Sequence, residues 1–337
     1  MKYLVTGGAG FIGSNFVHYL LETYADCRVV NLDKLTYAGN LDNLKDIADD
    51  SRHHFIHGDI ADEELVETIF CEGIDVAVNF AAETHVDRSI GSPGDFITTD
   101  VYGTYVLLEA AKRCGVRKFI QISTDEVYGT IQHGRSSTEN DVLMPRNPYS
   151  ASKAGADRLA YSYFATYGVP VCITRASNNY GPYQYPEKLI PLFVTNLLED
   201  KPVPIYGDGR HVRDWLHVRD HCGAVDIVIR KGVDGEVYNI GGGNERENIE
   251  LVDIIFDQLK KPESLKQYVK DRLGHDRRYS LSTAKMRRLG WTPAVDFEKG
   301  IRTTIDWYVD NRWWWEKIKS GAYLEYYRKQ YVEREKN

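Results

Sequence analysis

"YLVTGGAGFIGSNF", residues 3–16, decides the fold. A short apolar run at 2–6 reads as a strand, and it stops at a turn carrying Gly7, Gly10 and Gly13. A segment of helical period opens at Phe11 and continues to Tyr24. Glycines so placed permit the tight turn, let the backbone approach a pyrophosphate at the helix N-terminus and let the helix sit close on the sheet. The turn is answered by Asp33 at the end of a second strand, about 20 residues past the last glycine. A carboxylate there accepts hydrogen bonds from the adenosine ribose and repels a 2′-phosphate, so NAD is expected rather than NADP.

The alternation continues outward from this unit. Strand patterns at 28–33, 54–57, 76–80, 118–123 and 171–175 are separated by helical patterns at 62–70, 95–114 and 149–167. This order predicts an α/β fold, a Rossmann-type doubly wound parallel sheet covered on both faces. After Asn178 the rhythm breaks, with Pro182, Pro186, Pro191, Pro202 and Pro204 crowded together. A smaller, interleaved C-terminal lobe is therefore expected, because "EVYNIGGG" at 236–243 reads as a strand returning to the sheet. The division predicted is an NAD-binding domain at 1–178 with a returning segment near 214–242, and a substrate-binding lobe at 179–213 and 243–337.

Composition narrows the partners. With 337 residues, 42% hydrophobic content and 27% charge, the chain can bury an ordinary core. Its 49 acidic against 42 basic side chains leave a net charge of −7, so the surface as a whole does not attract nucleic acid. An anionic ligand needs a local cluster of cations. Cys27, Cys71, Cys114, Cys172 and Cys222 form no CxxC pair or spaced framework, which fits a reducing cytoplasm. No charged leader with an apolar stretch stands before the first strand, and no run approaches the roughly 20 apolar residues of a membrane span. No histidine has metal-ligand spacing, so no metal is expected.

Chemistry enters with "NPYSASKAGADRL" at 147–159, where Pro148 opens a helix and Tyr149 and Lys153 share one face. A phenol with an ordinary pKa of about 10 becomes a base when a neighbouring ammonium and the cationic nicotinamide of bound NAD favour its ionised form. Glycine spacing of the GxxGxxG kind, Tyr149, Lys153 and Thr124 at a strand's end together resemble the short-chain dehydrogenase/reductase superfamily. Asp125 and Glu126 follow Thr124 directly, and two carboxylates pushed together can hold different protonation states, one acid and one base. Chemistry that needs both beside a redox cofactor is elimination of water.

At this point the chain resembles the dTDP-glucose 4,6-dehydratase family over nearly its whole length, from "TGGAGFIGSNF" to "NRWWWEKI". The resemblance implies that C4 of the hexose is oxidised, Glu126 takes the C5 proton, Asp125 protonates the departing C6 hydroxyl and hydride returns to C6. It implies cofactor contacts at Phe11, Ile12, Lys34, Thr36, Asp59, Ile60, Phe80, Ala81, Ala82, Thr99 and Asn179, besides the three glycines, Asp33, Tyr149 and Lys153. On the substrate side it implies Thr84, Thr124, Asn178, Lys188, Leu189, Pro204, Tyr206, Arg213, Asn248, Asp271 and His275, with Arg213 and Lys188 for the diphosphate. The helices at 95–114 and 149–167 resemble those that pair such proteins into homodimers. "RWWWE" at 312–316 and the tyrosine-rich tail read as a terminal helix packing aromatic faces on the smaller lobe. Rival readings are a sugar-nucleotide 4-epimerase, which has no use for the acid and base pair, a dehydratase of another nucleoside diphosphate hexose, and an NAD-sensing scaffold, which has no use for the full set of reactive groups.

Overall fold

The computed structural model describes residues 1–333, apart from the side chains of 322, 329, 332 and 333. The first half alternates as β1 (Lys2–Thr6), α1 (Phe11–Thr23), β2 (Arg28–Asp33), β3 (His53–His57), α2 (Glu63–Cys71) and β4 (Val76–Asn79). Two short helices follow, α3 (Val86–Gly91) and α4 (Pro93–Phe96), and a π-helical segment (Ile97–Gly103) leads into α5 (Thr104–Cys114), β5 (Lys118–Thr124), α6 (Pro148–Tyr167) and β6 (Val171–Ala176). Beyond these come β7 (Asn178–Tyr180), α7 (Leu189–Leu198), β8 (Val203–Tyr206), β9 (Val212–His217), α8 (Val218–Lys231), β10 (Val237–Ile240) and β11 (Glu245–Glu247). There follow α9 (Asn248–Leu259), β12 (Lys266–Val269), α10 (Ala284–Arg288), α11 (Phe297–Asp310), α12 (Arg312–Ile318), α13 (Ala322–Tyr327) and a second π-helical segment (Arg328–Glu333).

Seven parallel strands form one sheet in the order β10-β6-β5-β4-β1-β2-β3. The returning strand expected at 236–243 is β10, which lies beside β6. Strands buried on both faces explain why these runs are nearly continuous in apolar residues. One face is covered by α1 and α8 through Phe16, Val17, Leu20, Val225 and Val228. The other is covered by α2, α5 and α6 through Val66, Ile69, Leu107, Leu108 and Ala160. A third core, built from α7, α9, α11 and α12, belongs to the smaller lobe and holds Phe193, Ile255, Ile301, Trp314 and Trp315.

Chain order reverses between β1 and β4, so the loops after these strands diverge and leave a crevice at their carboxyl ends. A buried polar chain crosses the sheet just below it. The Thr6 hydroxyl donates to Asn79 Oδ1 at 2.6 Å, and Asn79 Nδ2 donates to Gln121 Oε1 at 3.0 Å, fixing the relative heights of β1, β4 and β5.

Two expectations are corrected here. Cys71 and Cys114 are joined by a disulfide between the ends of α2 and α5, with Cα atoms 5.3 Å apart. Their separation of 43 residues hides the pairing in the sequence; the packing of α2 on α5 creates it. The tryptophan cluster also does more than pack on the smaller lobe, because Trp314 Nε1 donates to Asn43 Oδ1 at 2.7 Å and so ties that lobe to the loop after β2.

Behind the crevice lies a buried ion pair. Arg175 on β6 donates from Nε and Nη2 to the two oxygens of Asp157 on α6, at 2.8 and 3.0 Å. Both side chains are sealed from solvent. Asp157→Ala leaves the guanidinium buried without its main partner, so a loss of about 3–5 kcal/mol is expected in urea unfolding. A change under about 1 kcal/mol would show that water or Tyr128 replaces the carboxylate.

Candidate active site

Gly7 adopts φ +67° at the crossover, and a Cβ there would stand 2.7 Å from Ala81 N. At Gly13 a Cβ would come within 2.2 Å of Gly7 O. Helix α1 begins at Gly10 with no side-chain cap, so its first N–H groups face the crevice unshielded. Asp33 accepts from Ala9 N at 2.9 Å and Leu35 N at 2.8 Å, yet burial still pushes its carboxyl above the usual range. Lys34 pairs with Asp59 at 2.6 Å beside it. A turn too tight for side chains, an open helix N-terminus and a fixed acid at the far end fit an adenine dinucleotide.

The crevice is a cavity of about 280 Å³. Gly7, Gly10, Phe11, Ile12, Gly13, Asp33, Lys34, Thr36, Asp59, Ile60, Phe80, Ala81, Ala82, Thr99 and Asn179 all line it. So do Thr124, Asp125, Glu126, Tyr149 and Lys153. Strand β5 ends at Thr124, whose Oγ1 accepts from Glu126 N at 3.3 Å and caps the short 3-10 turn Asp125–Tyr128. That cap turns both acids back over the sheet edge. Asp125 is 3% exposed, its Oδ1 accepts from Thr124 Oγ1 at 3.2 Å, and its Oδ2 has no partner. Burial, and then the Glu126 charge, hold the Asp125 carboxyl protonated well above the usual carboxylate range. Glu126 Oε2 accepts from the Tyr279 hydroxyl at 3.3 Å.

Asn147 and Ser150 close a capping box at the start of α6, which presents Tyr149 and Lys153 to the cavity. Burial and the Glu126 charge raise the Tyr149 phenol well above its ordinary value, opposed by a hydrogen bond with Thr124. The ammonium of Lys153 donates to Ile122 O at 2.7 Å and is itself pushed down by burial. The lysine alone therefore does not give a phenolate, and a further positive charge, such as that of a nicotinamide, is needed.

A second cavity of about 150 Å³ adjoins the first. Thr84, Glu126, Asn178, Glu187 and Lys188 line both. Leu189, Pro204, Tyr206, Arg213, Asn248 and His275 complete much of its wall. Lys188 Nζ donates to Thr84 O at 2.7 Å, and Arg213 donates to Val212 O and Asp276 O at 2.8 and 2.9 Å. Both cations are thus aimed by main-chain carbonyls and remain chargeable towards an anion. Arg272, absent from the sequence reading as a named residue, lines the same wall with its buried Nε unpaired. It lies in the run 271–275 of "DRLGHDRRY", which the family resemblance as a whole places at the diphosphate and nucleotide.

Asp271 does not line either cavity. Its carboxylate accepts from His275 Nδ1 at 2.6 Å and lies 3.2 Å from His211 Nε2, so it stands behind the wall and orients the imidazoles. These three are metal-ligating residue types within reach of one another. The charges of Arg272, Arg213 and Arg277 bear on the pair, and burial drives the His275 ring below its ordinary value. That field favours an anion over a cation. Two further lining residues escaped the sequence reading. His221 bonds Asn179 Oδ1 through Nδ1 at 3.0 Å, keeps Nε2 buried and unpaired, and is lowered to about 4 by burial, so its ring is neutral at pH 7. Glu187 pairs with Arg88 at 3.0 Å and turns an unpartnered Oε1 inward. Only folding brings either to the site, and no local motif marks them.

Known proteins share this arrangement. The family model described as GDP-mannose 4,6 dehydratase matches residues 4–304. A dTDP-glucose 4,6-dehydratase of Streptomyces antibioticus is 55% identical over 95% of this chain and 96% of its own. The dTDP-glucose 4,6-dehydratase of Streptomyces venezuelae, solved with NAD bound, is 52% identical, covers 95% of this chain and 100% of its own, and superposes with a TM-score of 0.92. UDP-glucose 4-epimerase of Thermus thermophilus, solved with NAD, shares the fold at a TM-score of 0.85 but only 32% of the sequence, over 92% of this chain and 100% of its own. From the fold, the crevice and these likenesses together, the chain belongs to the dTDP-glucose 4,6-dehydratase family, NAD-dependent enzymes of the short-chain dehydrogenase/reductase superfamily.

Proposed function

We propose that this chain dehydrates dTDP-glucose to dTDP-4-keto-6-deoxyglucose, and that the pairing of a proton-loaded Asp125 with Glu126 beside Tyr149 carries that reading. NAD, which Gly7, Gly10, Gly13 and Asp33 would hold in the first cavity, would supply the redox chemistry as hydride acceptor and then donor, with no net oxidation. Tyr149 takes the C4 hydroxyl proton, with Thr124 holding the hydroxyl in line. Glu126 takes the C5 proton, which the C4 ketone makes acidic, and returns a proton to C5 as hydride reaches C6. Asp125, held protonated by burial, gives its proton to the C6 hydroxyl as it leaves as water. Lys153 sets the position of the Tyr149 turn through Ile122 O.

Lys188, Arg213 and Arg272 hold the diphosphate across the shared wall, and Asn248, Tyr206 and Leu189 hold the nucleoside. The lobes divide as 1–178 with a returning segment near 214–242 for the cofactor, and 179–213 with 243–337 for the sugar nucleotide. No helix among the described residues is long and apolar enough to cross a membrane. A cytoplasmic setting suits both ligands. The exposed rings of Tyr102, Tyr105, Tyr161 and Tyr167 lie on the segment 97–114 and on α6, an unusual amount of aromatic surface for helices facing water, and support a homodimer through those helices.

Incubation with dTDP-glucose and no added oxidant is expected to give the trapped 4-keto-6-deoxy product; retention of NAD with no turnover would overturn the assignment. Glu126→Gln is expected to lose exchange of the C5 proton with solvent by about 10²–10⁴-fold, whereas Tyr149→Phe blocks the preceding oxidation. Deuterium uptake at C5, read by mass spectrometry, is lost in both, and the absorbance of reduced nicotinamide, which forms only in Glu126→Gln, separates them.

Turnover should also carry an alkaline limb. Because Asp125 acts in its protonated form, the rate falls as pH rises through its raised pKa and is sustained below it. The residual rate of Asp125→Asn should lack that limb, and an unchanged profile would remove Asp125 as the acid. Light scattering is expected to give a dimer mass, converted to monomer by joint Tyr105→Asp and Tyr161→Asp substitution.

A further inference from the structure

After Gly321, at φ +50°, the tyrosine-rich tail reaches the second cavity, which Tyr331 helps to line. One face of it is anchored on the smaller lobe. The Tyr323 hydroxyl donates to Pro186 O at 3.2 Å, and Tyr327 accepts from Asn196 Nδ2 at 3.1 Å. The other face meets residues of the site. Tyr326 meets His85 edge-on, with its hydroxyl 3.2 Å from Nδ1. The Arg88 guanidinium, which pairs with Glu187, lies 4.4 Å from the Tyr326 ring and 3.7 Å from that of Tyr37. Gln330 Nε2 donates to the Tyr206 hydroxyl at 2.7 Å.

These contacts place Tyr331. Its ring centre is 5.9 Å from that of Tyr206, with the planes 39° apart, and it lines the second cavity with Pro204, Asn248 and Val252. It is the tail residue in that lining among those described. Tyr331 belongs to the core of the smaller lobe, with its ring centre 5.0 Å from that of Tyr327. The same residue borders the second cavity, whose lining also carries Lys188, Arg213 and Arg272.

We propose that Tyr331 is a specificity-determining residue for the nucleoside, forming with Tyr206 the aromatic wall on which the base of a nucleoside diphosphate packs. The inference rests on reading the second cavity as the nucleotide site, and it gives the tail a role in binding where its sequence suggested packing only. A planar base gains most from a ring held rigidly, and the contacts of Tyr323, Tyr326, Tyr327 and Gln330 supply that rigidity.

Calorimetry of dTDP binding to the NAD-loaded protein tests it. Tyr331→Ala is expected to weaken dTDP about tenfold and to raise KM for dTDP-glucose by a like factor, with kcat changed less than about twofold, while Tyr331→Phe restores both. NAD content shows whether each variant is folded. Tyr331→Trp supplies a second reading: its emission, taken as the difference from the parent, should shift when dTDP is added. Parent-like affinity in Tyr331→Ala, or an unshifted difference emission in Tyr331→Trp, would overturn the proposal. A parent protein that binds no dTDP would instead overturn the nucleotide reading of the cavity and this proposal with it, which keeps the two failures apart.

Discussion

Everything in the crevice hangs on how Arg175 and Asp157 hold two segments together. Asp157 lies on α6, one turn beyond Lys153, and Arg175 lies on β6 beside the strand that ends at Thr124. Arg175 also donates from Nη1 to the Tyr128 hydroxyl at 2.7 Å, and Tyr128 closes the turn that carries Asp125 and Glu126. One guanidinium therefore fixes the helix of the phenol and the turn of the two acids relative to each other. The pair costs desolvation and adds little net stability, but it removes the freedom of either segment to slide. Catalysis by positioned groups needs that rigidity more than it needs stability.

The same logic governs the anion site. An acidic chain cannot gather a diphosphate by its overall field, so the cations must be local and aimed. Carbonyl oxygens of Thr84, Val212 and Asp276 aim Lys188 and Arg213 without neutralising them. Carboxylates in those places would have cancelled the charge. Behind the wall, Asp271 is spent on two imidazoles.

The large sheet was legible because its signals are local. A strand of five or six apolar residues, a glycine turn and a helix entrance each act within a few positions of the chain. Thr124, Asp125 and Glu126 are likewise consecutive, and Tyr149 and Lys153 are one turn apart, so their grouping could be read once the strand and helix were placed. His221 and Glu187 could not be, because each is an ordinary polar residue until β7, α8 and the loop before α7 converge. The Cys71 to Cys114 disulfide depends on the docking of two helices, and the position of Tyr331 on a tail that folds back over a distant loop. Long-range packing decides all of these, and periodicity carries no record of it.

The ionisation of Tyr149 depends on more than its helical spacing from Lys153. Spacing on a helix puts an ammonium near the phenol, but it does not say what else the ammonium touches. Here Lys153 is committed to Ile122 O, while Glu126 adds a negative charge that opposes ionisation of the same phenol. Left to its protein neighbours, Tyr149 keeps its proton. A cation bound in the crevice lowers the phenol's pKa, and by reciprocity loss of that proton tightens the hold on the cation. The Glu126 charge beside the phenol thus makes its readiness to take a proton conditional on a filled cofactor site.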